Sequence, residues 1–261
     1  MDIHWNAESI WEQVAPGLPG FTVEILPEVD STNTELMRRA RSGSTDPVLL
    51  VAQRQTAGRG RLGRDWQGDA AGLGGTLTFS LGLPLQPLDW SGLSLAVGVS
   101  LVHTLHPSLR LKWPNDIWLE GRKLAGILIE TASAGAERYA VIGIGINITP
   151  RDAQGMRTAP ACLQELLPNV SAPDVLLHVV APLVRDIQRF CHTGFAPLVG
   201  SFNARDALVG CPVVCSDGLS GVAQGVDATG ALLVHTAQRV CKITSAEVSV
   251  RPLGRGSELS V

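Results

Sequence analysis

Alternating and continuous apolar segments predict a sheet in the first part of the chain. Residues 21–28 and 76–83 alternate between apolar and polar positions, as strands with one buried face do. Residues 47–54 form a largely apolar run that indicates a buried strand. Four more strands are predicted in succession at residues 109–113, 117–119, 123–131 and 139–148, with a hairpin turn at 120–122.

Three helices are predicted between and after these strands. The stretch 30–35 is expected to open a helix, because Thr32 and Glu35 have the spacing of a capping box. Residues 93–105 carry apolar side chains on two faces, which predicts a helix buried nearly all round. A stripe of apolar residues from Leu176 to Cys191 predicts an amphipathic helix.

The pattern changes past about residue 210. Short strands are predicted at 211–215, 221–226, 231–235 and 240–244, separated by turns rich in Asp and Gly. Such a series of short strands is typical of a small β-barrel. We therefore predict a mixed α/β domain at residues 1–208 and an all-β domain at residues 209–261.

Composition narrows the classes of function. The chain has 261 residues and a formal net charge of −3, which argues against a protein that coats nucleic acid. No apolar run approaches the ~20 residues of a membrane span, and the N-terminus lacks the apolar core of a signal peptide. Five scattered cysteines favour free thiols in a reducing cytoplasm. Cys211 and Cys215 lie close together, but no second pair completes a zinc site.

The glycine- and arginine-rich stretch Gly58–Arg64, followed by Trp66, is the most unusual segment. It matches the dinucleotide pattern GxGxxG, but that motif must run directly into a helix, and residues 65–75 have no helical period. Arginines between glycines favour instead a loop that closes over an anion. A solvated basic loop, or a nucleic-acid contact, remains the alternative.

Three further segments each allow two interpretations. Lys112-Trp113-Pro114-Asn115-Asp116 places a lysine, an amide and a carboxylate at a turn, as either a phosphate and metal site or a surface ion pair. Lys123 begins an apolar strand, where a lysine often only protects a sheet edge. Glycines in the strand 143–147 indicate close approach of a ligand or another backbone, or simple tight packing.

These segments, taken together and in this order, resemble the biotin–protein ligase family. The resemblance runs from about residue 22 to 251 and rests on Ser31-Thr32-Asn33, Gln55, GRGRLGR with Trp66, KWPND, KLAGILIE and GIGIN. It implies an α+β fold with a mixed, largely antiparallel sheet and packed helices, like the catalytic domain of class II synthetases, plus a C-terminal SH3-like β-barrel. It also implies condensation of biotin with ATP to biotinyl-5′-AMP, then transfer of biotin to one lysine of a biotin carboxyl carrier protein, from acetyl-CoA carboxylase or a similar enzyme.

The resemblance also implies roles for individual residues. The catalytic positions are Arg61, Lys112, Lys123 and Asp116, of which Asp116 is also assigned to Mg²⁺. The positions for biotin are Ser31, Thr32, Asn33, Gln55, Gly58, Arg59 and Gly126. The positions for ATP are Arg61, Arg64, Trp66, Asn115 and Asn147.

Only about twenty residues precede the first predicted strand, and a helix-turn-helix domain needs several helices. The expectation is therefore the monofunctional class, without a DNA partner or a membrane partner, as a monomer or homodimer.

Three other functions are weighed against this one. A lipoate–protein ligase shares the adenylation chemistry but is not expected to carry GRGRLGR together with KWPND. A nucleic-acid-binding module predicts affinity that falls steeply with salt and no ATP consumption. A biotin-responsive regulator without catalysis does not need both Lys112 and Lys123, because binding the vitamin alone requires no phosphate site.

Overall fold

The computed structural model describes residues 3–66, 74–134, 137–151, 160–244 and 250–252. Residues 55–75, which are rich in glycine and are predicted as a long irregular loop, therefore fall partly outside the described residues, at 67–73. In the described part the strands are β1 (Thr22–Val29), β2 (Val48–Gln55), β3 (Thr76–Leu85), β4 (Arg110–Lys112), β5 (Asp116–Leu119), β6 (Arg122–Ala134), β7 (Glu137–Asn147), β8 (Pro212–Cys215), β9 (Ser220–Val226), β10 (Leu232–His235), β11 (Val240–Ile243) and β12 (Val250–Pro252). The α-helices are α1 (Ala7–Val14), α2 (Thr32–Arg41), α3 (Leu93–Leu105), α4 (Ala172–Thr193) and α5 (Val199–Asn203).

The first seven strands form one sheet in the order β1-β2-β3-β7-β6-β5-β4. Strands β1 and β2 run parallel, with Thr22 opposite Val48. The other neighbouring pairs are antiparallel. The predicted α+β class with a mixed, largely antiparallel sheet is confirmed.

Helices cover both faces of this sheet. On β2, Leu49 and Val51 join the main core with side chains of α1, α3 and α4, whereas Val48 and Leu50 join a smaller core with α2. Because side chains alternate along a strand, one apolar run supplies both cores. Val141 of β7 belongs to the α2 side, and the same alternation puts Gly143 and Gly145 on that side.

Most predicted elements are observed, with small changes at their ends. Helix α3 has the predicted bounds, and the hairpin turn is made by Glu120 (φ 49°) and Gly121 (φ 76°), with Arg122 already in β6. Helix α1 was not predicted from the sequence. Its Ile10 and Val14 are buried in the main core.

The predicted capping box of α2 is wrong. Ser31, not Thr32, caps the helix: its backbone is extended (φ −157°) and its hydroxyl accepts from the Thr34 amide at 3.4 Å. Glu35 accepts instead from Arg39 Nε at 2.8 Å. Since Ser31 satisfies the helix terminus, the Thr32 side chain is available for another contact.

The second sheet is antiparallel and has the order β11-β10-β9-β8-β12. Its first four strands lie within one residue of the predicted bounds, and β12 is an additional strand. The five cysteines are free, as expected. The predicted domain boundary at residue 208 stays a prediction. No helix in the described ranges is long and apolar enough to cross a membrane.

Candidate active site

One cavity brings together most of the residues that the sequence singled out. It lies between the start of α2, the end of β2, the segment after β2, the β4–β5 turn, and strands β6 and β7. The predicted site residues that line it are Ser31, Thr32, Asn33, Gln55, Arg59, Arg61, Arg64, Trp66, Lys112, Asn115, Asp116, Lys123 and Gly126. Gly58 and Asn147 are not among its lining residues.

A polar cluster lines the cavity where α2 meets β2 and β3. Both the amide and the hydroxyl of Thr32 donate to Oε1 of Gln55, at 2.8 and 3.1 Å. These bonds fix the Gln55 carboxamide, so its nitrogen is left as a donor at the cavity. The cluster therefore offers oriented hydrogen-bonding groups to a polar ligand.

Ser80, which was not predicted as a site residue, contacts this cluster from β3. Its hydroxyl lies 2.7 Å from both Oγ1 of Thr32 and Oδ1 of Asn33, and its side chain is fully buried. The signal in the sequence was a serine within an apolar-rich strand. A buried hydroxyl is costly unless it is hydrogen-bonded, so such a serine indicates a buried polar contact.

The Asn33 amide extends the cluster to the neighbouring strand. It donates to the Leu128 carbonyl at 3.2 Å and to Oε2 of Glu130 at 3.0 Å. Oε1 of Glu130 in turn lies 3.2 Å from Nη1 of Arg59. Glu130 thereby links the glycine- and arginine-rich segment at residues 58–66 to the sheet. No role was predicted for Glu130 from the sequence.

The glycines of β6 and β7 allow side chains to approach the sheet. A Cβ atom on Gly145 would lie 2.3 Å from Cε2 of Trp66, and one on Gly143 would lie 2.1 Å from Oδ1 of Asn33. A Cβ atom on Gly126 would lie 3.2 Å from Cζ3 of Trp66. The glycines thus accommodate Trp66 and Asn33, and the indole forms part of the cavity wall.

Within residues 58–66, the segment folds into a compact turn. Its ends are tied by Trp66 N donating to the Gly58 carbonyl at 2.9 Å, and by Gly60 N donating to the Arg64 carbonyl at 2.7 Å. A single 3₁₀ turn covers Arg61–Gly63. The segment in which a dinucleotide motif would require a helix lies largely outside the described residues, at 67–73.

A cationic cluster also lines the cavity. Nζ of Lys123 lies 2.7 Å from Oδ1 of Asp116, and Nζ of Lys112 lies 3.8 Å from Oδ2 of the same carboxylate. Nη1 of Arg61 reaches Oδ1 of Asn115 at 3.4 Å, and Asn115 is held by the Ile127 carbonyl at 2.8 Å.

The charges of this cluster are poorly balanced. Burial, together with repulsion from Lys123, Arg64 and Arg61, lowers the pKa of Lys112, although attraction to Asp116 opposes the shift. Burial likewise lowers the pKa of Arg61. One carboxylate faces several cations, so an anion in the cavity would stabilise the charged lysine and arginine side chains.

The described residues do not fit a resident Mg²⁺ ion. Asp116 is the carboxylate that the sequence assigned to the metal, and both of its oxygens face ammonium groups. No group of three or more His, Cys, Asp or Glu side chains able to hold a metal occurs in the described ranges.

Asn147 has a structural position at the end of β7. It is 1% exposed, and its amide donates to the Ala161 carbonyl at 3.0 Å and to the Lys123 carbonyl at 3.4 Å. It thus supports the backbone at Lys123 from behind. Its assignment to the adenosine stays a prediction.

Two family models match the sequence. The model described as Biotin/lipoate A/B protein ligase family matches residues 25–147, and the model described as Biotin protein ligase C terminal domain matches residues 217–251. The matched ranges contain the large sheet except for the first three residues of β1, and most of the second sheet.

Several curated proteins and solved structures are similar over most of their length. The bifunctional ligase/repressor BirA of Escherichia coli is 32% identical over 92% of this chain and 77% of its own length. The biotin–[acetyl-CoA-carboxylase] ligase of Paracoccus denitrificans is 34% identical over 86% of this chain and 98% of its own. The biotin protein ligase of Aquifex aeolicus, solved with biotin and ATP, has a TM-score of 0.77 at 29% identity and covers 88% of this chain and 99% of that one.

Proposed function

Because the chain belongs to the biotin protein ligase family, we propose that it joins biotin to ATP as biotinyl-5′-AMP and then passes biotin to a carrier lysine. The observation that carries this proposal is the arrangement of the cavity. Its lining includes both an oriented polar cluster at Thr32 and Gln55 and the cations Lys112 and Lys123. Biotin has a polar ureido ring and a carboxylate at opposite ends, so one molecule can span both.

The ureido ring is assigned to the polar cluster. Gln55 and Thr32 are held by their mutual hydrogen bonds, and Ser31 completes the start of α2. A site with oriented donors and acceptors discriminates strongly against ligands that lack the matching groups, because its own polar atoms are then left unpaired. We assign Asn33, Gly58, Arg59 and Gly126 to the same half of the site.

The carboxylate and the α-phosphate are assigned to the cationic cluster. In the first step a carboxylate oxygen of biotin attacks the α-phosphorus, and the bond from that phosphorus to the pyrophosphate oxygen breaks. Two anions must approach each other, so cations that already surround the reacting atoms lower the barrier. Lys123 and Arg61 serve the carboxylate and α-phosphate, and Lys112 serves the rest of the triphosphate.

Asp116 has an electrostatic role in this arrangement. Its carboxylate holds Lys112 and Lys123 in one place without a ligand, which preorganises the cluster. Magnesium is assigned to the ATP phosphates and not to a protein site, since Mg²⁺ is commonly bound through substrate phosphates. The nucleotide is further assigned to Arg64, Trp66, Asn115 and Asn147.

In the second step the neutral amine of the carrier lysine attacks the acyl carbon and AMP leaves. We propose a biotin carboxyl carrier protein, such as that of acetyl-CoA carboxylase, as the acceptor. The name of the similar Paracoccus ligase supports this choice. The free cysteines support a reducing compartment, and we assign the protein to the cytoplasm.

Biotin-dependent exchange of labelled pyrophosphate into ATP tests the first step. Purified protein with Mg²⁺ is expected to exchange label with biotin and not with lipoate. Exchange with lipoate alone would assign the chain to lipoate chemistry, and no exchange with either by folded protein would contradict adenylation. Transfer is tested by adding a carrier domain and its Lys→Arg variant, of which only the first should become labelled with biotin.

A further inference from the structure

A buried hydrogen bond joins the two sheets beside the cationic cluster. Nε1 of Trp113, in the turn between β4 and β5, donates at 3.1 Å to the carbonyl of Gly230, in the turn between β9 and β10 of the second sheet. Trp113 is fully buried. A donor and an acceptor shielded from water depend on each other, because each would otherwise be left without a partner.

The backbone at Gly230 approaches the first part of the chain very closely. Its φ is 81°, and a Cβ atom there would lie 3.0 Å from the Cα atom of Gly92 and 3.0 Å from Cδ1 of Leu95. Glycine is favoured by both the left-handed conformation and the lack of space. The position of the Gly230 carbonyl is therefore set by tight packing against the start of α3.

The turn that carries Gly230 is held by one carboxylate. Oδ1 of Asp227 accepts from the Thr229 amide at 2.9 Å, the Thr229 hydroxyl at 2.7 Å and the Ala231 amide at 3.1 Å. Oδ2 of Asp227 pairs with Lys242 at 2.8 Å. Burial opposes ionisation of Asp227, but the bonds from Lys242, Thr229 and Ala231 outweigh it and lower its pKa to about 2.

Trp113 in turn connects to the proposed ATP-binding residues. Lys112 precedes it directly, and Asn115 follows two residues later and binds the Ile127 carbonyl. On the α3 side, the Ser94 hydroxyl donates to the Pro114 carbonyl at 3.3 Å. The β4–β5 turn is thus hydrogen-bonded to β6, to α3 and, through Trp113, to the second sheet.

We infer that the Asp227–Ala231 turn is a positioning element for ATP, which acts by holding the Trp113 indole and thereby Lys112 and Asn115. The inference rests on the proposed function. It gives the second sheet a defined part in nucleotide binding, whereas the residues assigned to biotin lie on α2, β2, the segment after β2 and, for Gly126, β6.

The test is a comparison of ATP and biotin affinities in two variants of the full chain. Trp113→Phe removes the indole donor but keeps an aromatic ring, and Asp227→Ala releases the turn without touching Trp113. In both, we expect the KM for ATP in pyrophosphate exchange and the calorimetric Kd for ATP to rise about tenfold. That change equals about 1.4 kcal/mol. The values for biotin should stay within twofold.

Asp217→Ala is the matched control. Asp217 caps the β8–β9 turn by accepting from the Leu219 amide at 3.1 Å, in the same sheet. It should leave both affinities unchanged.

Equal weakening of biotin and ATP, or unchanged ATP affinity in folded variants, would overturn the positioning role. The unsubstituted chain separates this result from the proposed function. Binding of ATP without any exchange would refute the ligase reaction but would still allow the ATP comparison by calorimetry. Absence of ATP binding in the unsubstituted chain would overturn both.

Discussion

The ammonium group of Lys123 on β6 lies 2.7 Å from Oδ1 of Asp116 on the neighbouring strand β5. A lysine at the edge of an apolar strand is often only a guard against aggregation. Here it points at a carboxylate that is 14% exposed and also faces Lys112. The contact gives Lys123, the second residue of β6, a place in the cavity.

Lys123→Ala should lower the rate of biotinyl-adenylate formation by about two to three orders of magnitude, as loss of one preorganised charge stabiliser does. The side chain is 42% exposed, so the fold should persist. The measurement is pyrophosphate exchange together with circular dichroism. Arg122→Ala is the control, because the neighbouring Arg122 pairs with Glu165 instead. Near-normal exchange by Lys123→Ala would refute the role assigned to this lysine.

Ser80→Ala should weaken biotin binding about tenfold and leave ATP binding nearly unchanged. The substitution leaves Oδ1 of Asn33 without its buried donor and releases Thr32, at a cost of about 1–3 kcal/mol. The KM values for biotin and ATP provide the measurement.

Ser100→Ala is the matched control for Ser80→Ala. Ser100 is 3% exposed, and its hydroxyl has no hydrogen-bond partner among the described residues. Removing it should leave both KM values unchanged. If the two variants behave alike, the hydroxyl of Ser80 does not orient the polar cluster.

Gly145→Ala should displace the Trp66 indole, since a Cβ atom at that position would lie 2.3 Å from the ring. We expect adenylation to fall at least tenfold, because the indole forms part of the cavity wall. Gly200→Ala provides the control, as a Cβ atom there meets nothing within 4 Å. A crystal structure of Gly145→Ala with an unmoved indole and full activity would contradict this account.

Asp206→Asn should stabilise the protein near pH 7. Burial raises the pKa of Asp206 to about 6, although the Leu208 amide donates to it, and the side chain is 7% exposed. The folded state therefore binds a proton more tightly than the unfolded state, so stability falls as pH rises from about 4 to about 6.

The asparagine variant removes this loss, and its unfolding free energy should exceed that of the parent by about 1–3 kcal/mol at pH 7. At pH 4 the two proteins should be nearly equal. Urea unfolding at both pH values is the measurement. An equal difference at the two pH values would show that Asp206 does not titrate as described.

The sequence determined the elements and most of the site. The pattern of apolar residues predicted β2, α3 and α4, because buried positions of a helix or strand require apolar side chains whatever the rest of the fold is. The site residues were implied by the resemblance of their motifs to a known family, and the structure brings most of them to one cavity. The predicted N-cap of α2 was wrong. Ser31 and Thr32 are both good caps, and the local sequence pattern does not choose between them.

Tertiary structure decided the contacts between distant segments. The buried partner of Ser80, the ion pairs of Asp116 and the bond from Trp113 to Gly230 each join residues from different elements, and in the last case these are 117 positions apart. Periodicity and local propensity report only on neighbours in the sequence. Which polar atoms meet inside the protein is fixed by packing, because each buried donor must find its acceptor in the assembled fold.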